Sequence, residues 1–143
     1  MIDPRMWKVM QKRLGYDDSE LELFRNNPRN EQVLSKLEQL QRTRFVVEVV
    51  DAHGCNSRHK KGDTFQIDGH GNLVTAAGPG RICLYALGSL TTLLHAAQEL
   101  IYAGVDPNEM RFKSAGCRDI GLNCGGWGKI VMTLSAVRTE AED

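Results

Sequence analysis

Apolar residues recur along this chain first at helical spacing and then at the alternation of a sheet. Met6, Trp7, Met10 and Leu14 fall on one face of a helix that Asp3 caps, with Pro4 at its first position and Gly15 just past its end. Asp17 with Glu20 is a capping-box pattern for a short second helix through Phe24. Asn27-Pro28 restarts the chain, and Val33, Leu34, Leu37 and Leu40 give a third helix its stripe. The period changes at Thr43. Phe45, Val47 and Val49 alternate with Val46, Glu48 and Val50, which predicts a strand rich in β-branched residues.

Gly62-Asp63 signals a turn into a second strand over residues 64–68, and Gly69-His70-Gly71-Asn72 links it to Leu73 and Val74 as a hairpin. Gly78-Pro79-Gly80 breaks the pattern. Residues 82–102 form the main helix, stopped by Gly104, with Leu84, Leu87, Leu90, Leu94, Ala97 and Ile101 on its core face. Asp106 with Glu109 caps one further turn, and residues 111–115 read as a short strand. Residues 116–128 are glycine-rich and irregular. Residues 129–137 close the fold as a strand, with Ile130, Met132, Leu134 and Ala136 on one side. The expected fold is α+β: a mostly antiparallel sheet packed on one long helix, with a helical N-terminal extension. Its divisions are an extension over 1–43, a core domain over 44–138 and a frayed acidic tail over 139–143.

Composition narrows the function classes. The chain has 143 residues, 41% hydrophobic and 25% charged, enough for one domain with an ordinary core. Lys+Arg and Asp+Glu are equal at 18 each, so the basic excess of a phosphate-tracking protein is missing and no nucleic-acid partner is expected. The first residues lack the charged start and apolar run of a signal peptide. The most apolar stretch, 82–103, is interrupted by Ser89, Thr91, Thr92, His95, Gln98 and Glu99, which argues against a membrane span. A cytoplasmic protein is expected, in which thiols stay reduced. Four cysteines there point to metal ligands, reactive groups or core residues rather than disulfides.

Those cysteines are Cys55, Cys83, Cys117 and Cys124. Four thiolates complete a tetrahedral zinc site or hold an iron–sulfur cluster. Only Cys117-x6-Cys124 is local and no Cys-x-x-Cys occurs, so the case rests on context. Gly54, Gly116, Gly125 and Gly126 leave backbone N–H groups free to approach sulfur, and Cys83 at a helix start sits at the positive end of the dipole. His59 is a substitute ligand or a donor behind the ligands. Asp51-x-His53-x-Cys55-x3-His59 offers a mixed zinc site, and Cys55 with His59 offers a thiolate–imidazole pair. Gly78-Pro79-Gly80-Arg81 before a helix is an anion-binding pattern, though more simply a turn.

The stretch 54–65 resembles a segment of a family of small, uncharacterised prokaryotic cysteine-containing proteins. Its members pair Gly-x-Cys…His-Lys-x-Gly-Asp-x-Phe with a Cys-x-x-Ala-Leu helix start and place a Cys before the final strand. The matching positions are Cys55, His59, Gly62, Asp63 and Phe65; then Cys83, Ala86 and Leu87; then Cys117. The likeness covers residues 44–137. The family shows Cys-Pro at its second and third cysteines, where this chain has Cys83-Leu84 and Cys117-Arg118, and Cys124 and residues 1–43 have no counterpart. The resemblance implies the cysteine framework and no activity.

The leading expectation is a small metal- or iron–sulfur-binding accessory protein or subunit of a larger redox or lyase complex. Cys55, Cys83, Cys117 and Cys124 are its ligands, and the amphipathic N-terminal stripe suits a homo-oligomer or a larger protein partner. The alternatives are a metal-free interaction module in which the cysteines pack, and a small thiol enzyme using Cys55.

Overall fold

A computed structural model of the chain describes residues 2–140. Helices α1 (Pro4–Leu14), α2 (Asp18–Asn26), α3 (Pro28–Ser35) and α4 (Leu37–Gln41) precede strands β1 (Thr43–His53) and β2 (Thr64–Asp68). The long helix α5 (Leu84–Ala103) follows, then β3 (Ser114–Gly116) and β4 (Lys129–Arg138). The four strands form one antiparallel sheet in the order β2-β1-β4-β3. The fold is α+β with one long helix, as the patterning predicts.

The helix starts are closed by the expected side chains. Asp3 accepts from the Arg5 N–H, and Asp17 and Glu20 form a reciprocal capping box. The α1 stripe is largely covered within the chain. Met10 is buried, and Trp7 meets Phe24 edge-to-face at 5.9 Å, while Leu14 stays exposed. The third helix differs from expectation: it breaks at Lys36 into α3 and α4. Leu34 and Leu40, one on each side of the break, are both buried. Leu40 joins the same core as the sheet, and its carbonyl leaves no room for a side chain at Gly69.

The core is Phe45, Val47 and Val49 of β1, Phe65 and Ile67 of β2, and Ile130, Met132 and Leu134 of β4, set against α5. The buried stripe of α5 is Ala86, Leu90, Leu93, Ala97 and Ile101, which corrects the predicted one. Leu84 is 80% exposed, and Leu87 and Leu94 are half-buried. By helical spacing Leu84 falls on the face of exposed Thr91, His95 and Glu99. The predicted hairpin after β2 reduces to a single bridge, Ile67 to Leu73, supported by the Val74 N–H on the Gln66 carbonyl. At the chain's end the Thr139 N–H and hydroxyl both bond the Arg42 carbonyl. Residues 141–143 of the predicted tail lie outside the described residues. Among the described residues, no helix is long and apolar enough to cross a membrane.

Two substitutions test the assigned stripe. Leu90→Ala is expected to cost roughly 2–5 kcal/mol in urea unfolding, whereas Leu84→Ala stays within about 0.5 kcal/mol. Equal costs would place the helix in the wrong rotation.

Candidate functional site

The site begins where β1 ends. Pairing with β4 runs in register from Thr43 opposite Arg138 to Val49 opposite Met132, then slips so that Asp51 faces Val131 and Ala52 faces Ile130. This bulge reverses the phase of the strand. Ala52 packs on the core beside buried Ile130, while Asp51 and His53 are exposed. Asp51 and His53 do not line the cavity described below, so the mixed Asp51–His53–Cys55–His59 site is not assembled.

Past the bulge two backbones touch. A Cβ at Gly128 would collide with the His53 carbonyl and with Gly54, and a Cβ at Gly54 would lie 2.8 Å from the Trp127 carbonyl. Gly54 also holds φ at +63°, the left-handed region. This contact sets Cys55 against the start of β4. The chain then makes a turn closed by the Arg58 N–H on the Cys55 carbonyl, with Arg58 itself at φ +58°. It returns to β1 through the Gly62 N–H on the Val49 carbonyl and the Val49 N–H on the Asp63 carbonyl.

The second loop, between β3 and β4, is organised by Asp119. Its carboxylate accepts from the Gly121 N–H at 2.9 Å, the Trp127 N–H at 3.1 Å and the Gly128 N–H at 3.2 Å. The Gly121 N–H is the largest of the influences that hold this carboxyl below its usual range, with Gly128, Trp127 and Ile120 adding to it against a desolvation penalty. Gly126 has no space for a side chain because Asp119 fills it. Cys117, at the loop's start, accepts the Ile130 N–H on its sulfur at 3.4 Å. That is the kind of contact that steadies a thiolate.

Cys83 is the N-cap of α5. Burial opposes ionisation of its thiol. The Ser57 hydroxyl and the Ala86 and Tyr85 N–H groups outweigh burial and hold the thiol below its ordinary range. The Cys83 side chain makes no capping hydrogen bond to the start of α5. The Cys83 N–H donates to His59 Nε2 at 3.3 Å. His59 is buried, with Nδ1 3.6 Å from Asp63 Oδ2. Nε2 therefore accepts and Nδ1 carries the proton facing Asp63. Both ring nitrogens are engaged away from Cys55, so no Cys55–His59 couple forms. His59 instead ties the first loop to the start of α5.

These elements surround one cavity of about 580 Å³ whose lining includes Cys55, His59, Cys83, Cys117 and Cys124. All four thiols are free. Cys55, Cys83 and Cys117 are half-buried and packed on the core, whereas Cys124 is exposed. Among the described residues, no three or more His, Cys, Asp or Glu side chains converge tightly enough to hold one metal ion. The thiols stand around a space rather than at a point. The Gly78-Pro79-Gly80-Arg81 turn lies elsewhere: Pro79, Gly80 and Arg81 line a separate cavity of about 110 Å³. Ser57 and Asp119 escaped the sequence reading. The Asp119-Ile120-Gly121 turn was the available signal for Asp119, and nothing local marked Ser57.

No protein-family profile, curated protein or solved structure matches this chain.

Two tests follow from this geometry. Gly128→Ala is expected to destabilise the protein by about 1–3 kcal/mol through backbone overlap with His53 and Gly54, read by thermal or urea unfolding. Wild-type stability would mean that the two backbones do not meet. In the metal-free protein, alkylation of Cys83 should follow its thiolate. A lowered pKa shifts the rise in rate to lower pH than for an ordinary thiol, and Ser57→Ala should move that midpoint back up. The linked stability has the matching sign: it is present above the unfolded thiol's pKa and is lost as pH falls through the lower folded value. An unmoved midpoint in the Ser57 variant would remove that hydroxyl from the account.

Proposed function

We propose that this chain is a cytoplasmic metal-binding protein that holds an iron–sulfur cluster in the cysteine cavity. It serves as an accessory protein or small subunit of a larger redox or lyase complex. The observation that carries this reading is that four thiols, from segments separated along the chain, line one cavity. Cys55 comes from the first loop, Cys83 from the start of α5, and Cys117 and Cys124 from the second loop.

Two features support a thiolate-held group. The Cys83 thiol is biased towards ionisation, and the Cys117 sulfur accepts the Ile130 N–H. A cluster suits the site better than a single zinc ion. One zinc draws its four sulfurs to a common centre, whereas a cluster places iron and sulfide between them and needs a cavity. His59, with both nitrogens engaged, acts behind Cys83 as a positioning residue. When bound, the cluster supplies electron transfer or Lewis acidity. The exposed apolar side chains Leu84, Tyr85, Ile120, Leu122 and Trp127, all on segments that build the cavity, are consistent with a protein partner covering its mouth.

The test is anaerobic purification followed by iron, zinc and acid-labile sulfide analysis and a visible spectrum. Iron matched by sulfide, with a broad absorption band in the visible, is expected, and Cys83→Ser should lose most of both. Stoichiometric zinc without sulfide would replace the cluster with a zinc site. Protein that stays metal-free after reconstitution with iron, sulfide and zinc would leave a metal-free protein whose cysteines pack or react.

A further inference from the structure

The rim of the cavity is both apolar and cationic. Leu84 and Tyr85 open α5, while Ile120, Leu122 and Trp127 stand on the second loop, and each is at least 67% exposed. Large apolar side chains gathered on one surface mark a place that something covers. Tyr85, Ile120 and Trp127 line the same cavity, so the two segments form one region. Arg118 ties them together. Its Nε lies 3.5 Å from where a Cβ would stand at Gly88, one helical turn beyond Leu84. The Arg118 side chain therefore reaches the α5 face that carries Leu84.

The free charges around this patch have one sign. Arg118 and Lys129 line the cavity, and Arg58, Lys60 and Lys61 stand on the first loop beside its lining residues Ser57 and His59; all five are exposed. Among the described residues, no carboxylate lies within ion-pair distance of any of them. The carboxylates that follow on the same two loops are already engaged. Asp63 accepts the Lys60 N–H at 3.0 Å and faces His59, and Asp119 accepts three backbone N–H groups. The whole chain has a formal net charge of zero, so the excess of unpaired cations is local to the rim.

We propose that this rim is the docking surface for an acidic segment of a partner protein. Asp or Glu side chains of the partner meet Arg118, Lys129 and the first-loop cations, and its large apolar side chains cover Tyr85, Ile120 and Trp127. Charge complementarity selects an acidic partner. The aliphatic Leu84, Ile120 and Leu122 select a protein, because a nucleic-acid strand pairs cations with stacking rings and finds no stacking face on an aliphatic side chain. Tyr, Trp and Arg are also the residues that concentrate binding energy at protein interfaces. The proposal deepens the reading above by naming the partner's chemistry, and it concerns the mouth of the cavity whatever the cavity holds.

The experiment pans full-length, metal-free protein against a phage-displayed library of random-sequence peptides. Enriched peptides are then synthesised and titrated by fluorescence anisotropy. They are expected to combine Asp or Glu with Leu, Phe or Trp, and to bind less tightly as salt rises. Trp127→Ala, and Arg118→Glu combined with Lys129→Glu, should each weaken binding about 10-fold or more. These side chains are exposed, so thermal unfolding of the variants should match wild type. If the Arg118 variant unfolds early, Lys60→Glu with Lys61→Glu carries the charge test. No enrichment, enriched peptides without acidic bias, or equal binding to wild type and variants would overturn the proposal. Tighter binding of a labelled oligothymidine, lost in the same variants, would replace the protein partner with a nucleic acid. Self-association lost in those variants would put a second copy of the chain there instead. Iron and zinc do not enter the readout, so failure here leaves the metal reading to its own test.

Discussion

Pairing of β1 with β4 is the constraint on which the rest depends. It joins residues far apart in sequence, from Thr43 opposite Arg138 to His53 opposite Lys129, and so carries most of the long-range order of the sheet. Both strands lie in the interior of the β2-β1-β4-β3 order, and their inward residues supply the centre of the core. The pairing also decides where the two cysteine loops meet, because the last residues of β1 and the first of β4 lead directly into Gly54-Cys55 and back to Trp127-Gly128.

The bulge after Val49 converts that pairing into a site. Without it the strand would keep its alternation, and Asp51 and His53 would follow Val49 inward, placing a carboxylate and an imidazole against apolar surface at considerable cost. With it, Ala52 takes the inward place and the polar pair turns to solvent. The backbone can then approach β4 at Gly54 and Gly128 closely enough that neither position accepts a side chain. The cavity beyond is framed by backbone contact and by the Asp119 hydrogen bonds rather than by filled packing. A site framed in that way keeps an interior that side chains have not closed.

Much of this was legible in the sequence because local signals agreed with the tertiary result. Asp3, Asp17 with Glu20, and Asp106 cap the helices they mark, and the alternation in residues 45–49 and 130–136 faces the core as read. The stripe of α5 differs from the predicted one at Leu84, an apolar residue that shares its helix face with exposed Thr91, His95 and Glu99. The break at Lys36 had no proline or glycine to announce it. At the site, the cysteines, His59 and the glycine-rich loop were visible as residues, but their roles were not. His59 serves as an acceptor for the Cys83 N–H, and Asp119 as a clasp, through contacts across the fold or the loop that spacing does not encode.

The two loops illustrate different ways of holding a thiol. The first is held at both ends: Gly54 against β4 and Gly62 against Val49, with His59 and Asp63 buried or half-buried between them, so Cys55 has little freedom relative to the sheet. The second is held at its base by the Asp119 carboxylate, which the backbone N–H groups it accepts from, Gly121 first, hold below its usual pKa. A clasp of charged hydrogen bonds holds the base, while the tip is a single turn with a glycine at each end. The Cys117 sulfur accepts the Ile130 N–H, while the Cys124 N–H bonds the Gly121 carbonyl within its own turn. One aspartate stands between these two cysteines, so the spacing of Cys117 and Cys124 is structural as well as chemical in its consequence.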